Sequence, residues 1–495
     1  MKLAGFAPRF ASMDRRHRFK PMIYALFFIL VALAPGSVFA ERIVADDKGD
    51  VKKPNFIVIF ADDQGYNDLG CFGSKTIKTP QLDQLAAEGR RFTSFYVASS
   101  VCSPSRAALL TGCYPKRVGM HKSVLFPRST HGLHSDEYTI ADHLKSIGYQ
   151  TACIGKWHLG HHKEMLPTSN GFDSYFGIPY SNDMNHPDNT GRPKHSDDLW
   201  RDQESAVTRW NTPLMRNEEI VEVPVDQRTI TRRYTDEAIE FVNRNRDQPF
   251  FLYLPHSMPH IPLYVPDDVY DPDPQNAYKC VIEHIDAEVG RLVQTVRDLG
   301  LAENTYIIYT SDNGPWLRFK HHGGSADPLR AGKTTTFEGG QRVPCIMWAP
   351  GRIPAGTSTD SFTSTMDLLP TIAALTETQL PKRKIDGFDI SSTLSSDQSP
   401  RDELIFYSNN GVLEGIRKGE WKYLELKKGN KKKGNQQTEY YLFNLAEDIG
   451  EQNNVVKESV ALVEELRTRM VEADKEITEN GRPVFRVEMT PKESR

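Results

Sequence analysis

Cys102 stands directly before S-P-S-R-A-A-L-L-T-G, with Arg106 four residues on. Ser103 can cap a helix, Pro104 suits its first position and Gly112 its stop, so the spacing predicts a short helix over 104–111. Cys102 then lies just before a helix N-terminus, where unpaired N–H groups and the dipole favour an anion. Arg106, in the first turn, can add its charge at the same spot. Such a setting suits a thiolate nucleophile, and it suits an oxyanion substrate as well. Composition by itself fits a buried structural cysteine equally.

Asp62, Asp63, Asp312 and Asn313 are hard oxygen donors with no histidine or thiolate among them, a set suited to Ca²⁺ or Mg²⁺. An adjacent Asp-Asp is often a solvated turn, and S-D-N-G is a turn sequence in its own right. Placed at the ends of two buried strands, they favour a divalent cation. Lys156, His158, His260 and Lys333 add positive charge and proton-transfer capacity, since unperturbed histidine titrates near neutral pH. Each alone is more often a structural residue.

These residues need elements to bring them together. Short, continuous apolar runs recur at 55–60, 151–154, 249–254, 305–310 and 343–348, without the alternation of half-exposed strands. That is the pattern of a parallel sheet covered on both faces. Helical spacing falls between the runs, at 79–89, 136–147, 231–246 and 277–299, which predicts an open, doubly wound α/β architecture. The first run leads into A-D-D-Q-G, the second into G-K-W-H-L-G, the third into P-H-S-M-P-H and the fourth into S-D-N-G. Ligands bind at the carboxyl ends of such strands. Four distant segments therefore deliver Asp62, Asp63, Lys156, His158, His256, His260, Asp312 and Asn313 to one rim.

From about residue 395 the pattern changes to short alternating strands with tight turns. The lysine-rich 427–435 reads as a solvated hairpin tip, and apolar spacing predicts a helix over roughly 457–478. Five segments result: a signal peptide (1–40), a polar leader (41–54), a catalytic domain (55–394), an α+β subdomain with an antiparallel sheet (395–480) and a loose tail (481–495). The signal peptide rests on the basic Arg15, Arg16, Arg18 and Lys20, an apolar block over 22–34, and small residues at Val38 and Ala40. It predicts export, periplasmic or secreted, with cleavage near Ala40. Residues 1–40 hold six basic and one acidic residue, so their removal takes the formal charge from −4 to −9. Such a chain is not a nucleic-acid binder, and an anionic substrate must be drawn by a local pocket against the overall field. No later stretch is long and apolar enough for a stable membrane span. The six cysteines have no framework spacing and no CxxC, so no disulfide pairing or thiolate metal site is dictated.

C-S-P-S-R-A-A-L-L-T-G resembles the signature of the type I sulfatases, in which the cysteine is oxidised after translation to Cα-formylglycine. N-F-I-V-I-F-A-D-D-Q-G, G-K-W-H-L-G, G-I-P-Y-S-N-D, P-H-I-P-L-Y-V-P, S-D-N-G-P and L-R-A-G-K-T-T-T-F-E-G-G match that family in its order, and Y-Y-L-F-N-L-A-E-D resembles its C-terminal domain. The likeness is to the arylsulfatase A and N-acetylgalactosamine-6-sulfatase branch. It implies an alkaline-phosphatase-like sandwich, with a large mixed, mostly parallel sheet flanked by helices and a smaller α+β domain. It implies hydrolysis of sulfate esters, with sulfated carbohydrate the expected class, through a covalent sulfo-enzyme on the formylglycine made from Cys102. A formylglycine-generating enzyme is then a partner during maturation. Asp62, Asp63, Asp312, Asn313 and the modified Cys102 are implied ligands of Ca²⁺, with Mg²⁺ the alternative. Arg106 and Lys156 are implied to hold the aldehyde hydrate, Lys333 and His260 the sulfate. His260 is implied as acid for the departing alcohol and His158 as base for returning the aldehyde. Ser181 and His256 are implied substrate contacts. W-L-R-F-K-H-H (316–322) is a candidate subsite for an anionic sugar. The competing readings are a phosphomonoester or phosphonate hydrolase of the same superfold, which typically uses Ser or Thr where Cys102 stands, and a non-catalytic sulfated-glycan binding protein, which should have lost rim residues.

Overall fold

The computed structural model describes residues 52–185, 196–429 and 435–488. The expected signal peptide, nearly all of the polar leader, the centre of the lysine-rich tip and residues 489–495 lie outside them. An 11-stranded sheet forms the frame. The strands that matter for the site are β1 (Asn55–Ala61), β2 (Arg90–Tyr96), β3 (Gln150–Ile154), β4 (Ser174–Gly177), β5 (Phe250–Pro255), β6 (Thr305–Ser311) and β7 (Arg342–Trp348). They lie side by side in the order β2-β7-β6-β1-β5-β3-β4.

Every residue of β1 is buried, and successive side chains enter different cores. Ile57, Ile59 and Ala61 pack with α1 (Pro80–Glu88), α4 (Ile230–Arg244) and α5 (Ala277–Asp298). Phe56, Val58 and Phe60 pack with α2 (Cys102–Thr111) and α3 (Ile140–Ser146). Covering both faces is why the strand sequence reads as an unbroken apolar run. Each buried aliphatic or aromatic side chain contributes about 1.5–3 kcal/mol over leaving it exposed.

β6-β1-β5-β3-β4 are mutually parallel, so the carboxyl ends of β1, β3, β5 and β6 face one rim. β7 departs from the expected parallel set. It runs antiparallel to both β6 and β2, with a register shift around Pro344. A strand buried on both faces has no sequence mark of direction. The consequence is functional, because a reversed β7 begins at the rim, and the segment before it, with Lys333, arrives where the other loops end.

α2 starts earlier than expected. Val101 occupies the N-cap, Cys102 is the first helical residue, and Ser103 Oγ accepts from Leu125 N at 3.1 Å instead of capping. Gly112 closes the helix at φ 64°, a left-handed position that suits glycine. All ten residues of α2 are buried. Ala107, Leu109 and Leu110 face the main core, and Ala108 packs against a four-stranded antiparallel sheet (403–407, 413–418, 421–428, 437–444) with α6 (Val460–Glu479). Residues 481–488, read as the start of a loose tail, are tied down: Phe485–Arg486 pairs with His131–Gly132, and Arg482 Nε reaches Glu137 at 2.8 Å. Among the described residues no helix is long and apolar enough to cross a membrane.

Candidate active site

The rim residues converge as the strand ends require. Asp62 and Asp63 follow β1, Asp312 and Asn313 follow β6, Lys156 and His158 follow β3, and His260 follows β5. Donor atoms of Asp62, Asp63, Cys102 and Asp312 all lie within 4.8 Å of one another. Cys102 Sγ sits 3.4 Å from Asp62 Oδ1 and 3.5 Å from Lys333 Nζ. Lys333 Nζ donates to both oxygens of Asp63, at 2.5 and 2.7 Å. Lys156 Nζ pairs with Asp62 and lies 3.1 Å from Ser181 Oγ. Arg106 donates from Nε and Nη2 to Asp312 Oδ2, at 3.0 and 2.7 Å, and from Nη1 to the Lys156 carbonyl at 2.7 Å. Asp63 and His158 hold φ of 66° and 60°. Non-glycine residues rarely stay there unless the surroundings compel it, and such positions cluster at functional sites.

Cys102, His158, Ser181, His260 and Lys333 line a cleft of about 550 Å³. The carboxylates, Arg106 and Lys156 lie beneath this floor, buried. Ser123, Phe126, Arg128, Asp183 and Trp210 form walls that the sequence pattern does not single out, and Trp316, from the candidate 316–322 subsite, joins them. Asn182 was missed too: its Oδ1 lies 3.1 Å from His260 Nδ1, and its Nδ2 donates to Gln227 Oε1 at 3.0 Å. The only sequence signal was its place beside Ser181. Arg318 and Lys320 do not line the cleft, whereas Trp316 does, packing 5.4 Å from the His260 ring under Lys333 Nζ, 4.4 Å from its centroid.

His256 is not where a substrate contact must be. It is fully buried, absent from the cleft lining, and neither ring nitrogen has a hydrogen-bond partner. Burial, then the nearby His284 of α5, pushes it down to about 3. P-H-S-M-P-H offered two histidines, and only the second reaches the rim.

Electrostatics discriminate among the roles. Burial, then the Asp62 carboxylate, pushes the Cys102 thiol well above its usual value, so the unmodified side chain is a neutral thiol and not the thiolate considered from sequence. Burial and the Asp62 charge raise Asp312 to about 7. Asp62 itself is held well below the carboxylate range: burial opposes this, but the Lys156 and Arg106 charges outweigh it. His158 and His260 are both held well below 6.5, by burial first and then by Lys156 and Lys333 respectively. Both are neutral at pH 7. His158 Nε2 lies 2.9 Å from the Leu125 carbonyl and its Nδ1 has no partner, which leaves one nitrogen able to take a proton.

The oxygen cluster fits a hard divalent cation. Its donors are all-oxygen beside Cys102, and Asn313 Oδ1 is buried without a hydrogen-bond partner while its Nδ2 donates to Asp63 at 2.7 Å. A buried orphan acceptor costs about 1–3 kcal/mol unless something satisfies it, and a cation does.

Residues 54–378 match the family model described as Sulfatase. Arylsulfatase A of Homo sapiens is 40% identical over 406 residues, covering 80% of this chain and 77% of the relative. Arylsulfatase G of Rattus norvegicus is 36% identical over 443 residues, covering 82% and 83%. The crystal structure of Ps i-CgsB in complex with k-i-k-neocarrahexaose superposes with a TM-score of 0.72 at 31% identity, covering 87% of this chain and 94% of that one.

Proposed function

The chain belongs to the sulfatase family and is a sulfuric ester hydrolase, and from that premise we propose that it acts on a sulfated carbohydrate with Cys102, as Cα-formylglycine, at the centre of the site. The observation that carries this reading is Cys102 itself. As a buried neutral thiol beside Asp62 it is a poor nucleophile, yet it occupies the point on which Lys333, Asp62 and the cleft converge. The oxidised side chain supplies, when hydrated, a hydroxyl nucleophile and a second hydroxyl through which sulfate can be released. Asp62, Asp63, Asp312 and Asn313 would hold Ca²⁺, which would supply charge stabilisation next to it.

The protein's own groups account for the rest. Three carboxylates (Asp62, Asp63, Asp312) and three cations (Arg106, Lys156, Lys333) balance formally, so a divalent cation leaves the pocket positive, the sign a sulfate group needs. Arg106 fixes Asp312 and the Lys156 backbone with a three-pronged grip, so those groups need no reorganisation when charge develops. Lys156, tethered to Asp62, directs its remaining donors at Ser181 and the Cys102 side chain's surroundings. Lys333 and His260 flank the open side of Cys102 and would bind the sulfate oxygens. His260 is neutral in the free protein, and an arriving sulfate charge favours its protonated form, so it becomes competent to give a proton to the departing sugar oxygen. Asn182 and the Ile261 carbonyl, 3.1 and 2.7 Å from Nδ1, fix the ring so that Nε2 faces the cleft. His158, with its free nitrogen, is placed to take a proton from the second hydroxyl. The aromatic walls at Trp210, Trp316 and Phe126 suit the apolar faces of sugar rings.

The test is the mass of tryptic peptide 92–106 from a host that possesses the formylglycine-generating enzyme. A loss of about 18 Da relative to the thiol is expected, together with turnover of sulfated oligosaccharides. An unmodified cysteine, beside a control sulfatase that is modified in the same cells, would remove the proposal.

A further inference from the structure

We propose a second metal site, for a divalent transition metal of the Zn²⁺ type, formed by Asp197, His321 and His322 at the outer end of the segment that carries Trp316. It stands apart from the oxygen cluster at Cys102 and does not depend on the sulfatase reading. Asp197 belongs to a short helix, Ser196–Arg201, and the two histidines end the turn Leu317–His322. One donor atom from each of the three lies within 4.8 Å of the others. His321 Nε2 is 2.9 Å from Asp197 Oδ1, and His322 Nε2 is 3.3 Å from the same oxygen.

An ordinary aspartate–histidine hydrogen bond accounts for His321 only. His322 is 2% exposed, and neither of its ring nitrogens has a hydrogen-bond partner, its approach to Asp197 being off hydrogen-bond geometry. Two unsatisfied nitrogens on a buried ring are costly, and a cation shared with Asp197 satisfies the one that faces it. The two distances to Asp197 agree with a shared ion: ligands at about 2.0–2.2 Å around a tetrahedral ion stand roughly 3.3 Å apart, against 2.9 and 3.3 Å here. Burial and the neighbouring ring push His322 down to about 4, so it is neutral and its lone pair is free to bind. The other nitrogen of His321 faces the side-chain amide of Gln275 at 3.4 Å. A half-turn of that amide presents its oxygen to Nδ1–H, the supporting contact that metal-bound histidines usually have. Asp197 is partly exposed, which leaves a path for the ion and room for water as the fourth ligand. Two imidazoles with one carboxylate select Zn²⁺ or its neighbours over Ca²⁺, the reverse of the oxygen cluster. The ion would pin 317–322 to the helix at 196–201, and through it Trp316, the wall that packs on His260.

The experiment is a Co²⁺ titration of the full chain, stripped by chelator and then kept in excess Ca²⁺, read by visible absorption. The native protein should take up one more equivalent than the His321→Ala/His322→Ala double variant, with a low-symmetry d–d band that Zn²⁺ erases. Asp197→Asn, which keeps the shape of the side chain, should weaken uptake at least tenfold and serves if the double variant does not fold. Zn²⁺ should raise the melting temperature of the native protein only. Equal Co²⁺ equivalents and spectra for native and variant proteins would overturn the site, whether or not the protein cleaves sulfate esters.

Discussion

Arg106→Lys isolates what the guanidinium fork does, because it keeps the charge and discards the geometry. Lysine can replace one contact to Asp312. It loses a second charge-assisted bond to that carboxylate, worth about 1.5–3 kcal/mol, and leaves the Lys156 carbonyl buried without a donor, about 1–3 kcal/mol more. The total of about 2.5–6 kcal/mol brackets the roughly 3–5 kcal/mol that breaking a buried ion pair costs. Unfolding entropy of about 2.1 cal/mol/K per residue, over the roughly 440 residues from Lys52 onward, gives about 0.9 kcal/mol/K. The melting temperature should therefore fall by about 3–7 °C. Calorimetry in fixed excess Ca²⁺ is the assay, since ligand concentration moves the midpoint, with the modified fraction at Cys102 measured for both proteins because Arg106 lies only four residues from it. Arg244→Lys, on an exposed helix pair with Glu240, is the control and should shift the midpoint by well under about 1 °C. An Arg106→Lys midpoint indistinguishable from the parent would refute the reasoning, since the three contacts would then be energetically idle.

The remaining predictions concern charge. Asp312 is raised to about 7 in the metal-free protein, so metal binding must release its proton, and Ca²⁺ affinity should drop by up to tenfold per pH unit below about 7; a flat affinity from pH 6 to 8 would contradict this. For the same reason its ionisation destabilises the chelated protein as pH rises from the ordinary carboxylate range to about 7, and Ca²⁺ should stabilise more at pH 8 than at pH 6. His260→Asn should lower kcat by about 10²–10⁴ for a sugar sulfate and far less for a nitrophenyl sulfate, whose leaving group needs no proton; equal losses on both would remove His260 as the acid. Lys422, fully buried, bridges Glu338 at 2.8 Å and Glu451 at 3.0 Å. Burial raises Glu451 to about 7 despite Lys422, so the folded state already loses stability as pH climbs from the ordinary glutamate value toward 7. Lys422→Met should extend that loss above pH 7, by at most about 1.4 kcal/mol per unit, and a variant-to-parent gap equal at pH 6 and pH 9 would exclude it.

The chemistry of the site was written in the chain because its donors sit immediately after buried strands. Asp62–Asp63, Lys156–His158 and Asp312–Asn313 each end an apolar run, and parallel strands put all such ends on one rim. The sequence likewise determined α2 closely, through Pro104 and Gly112, and the separate character of the chain after 395. Only the tertiary structure decided the direction of β7, and with it the arrival of Lys333, because a strand buried on both faces reads alike in either direction. The start of α2 two residues early, at Cys102, depended on Leu125 drawing Ser103 away from capping. The choice between His256 and His260 depended on where the chain leaves β5: one ring turns under α5 and the other reaches the cleft. Cys102 being a neutral thiol, Asn182 orienting His260, and His322 lying buried with both nitrogens unpaired are properties of surroundings assembled from residues tens to hundreds of positions apart. Local sequence determines which groups are available at a strand end. Burial and long-range neighbours determine their charge and what they can do.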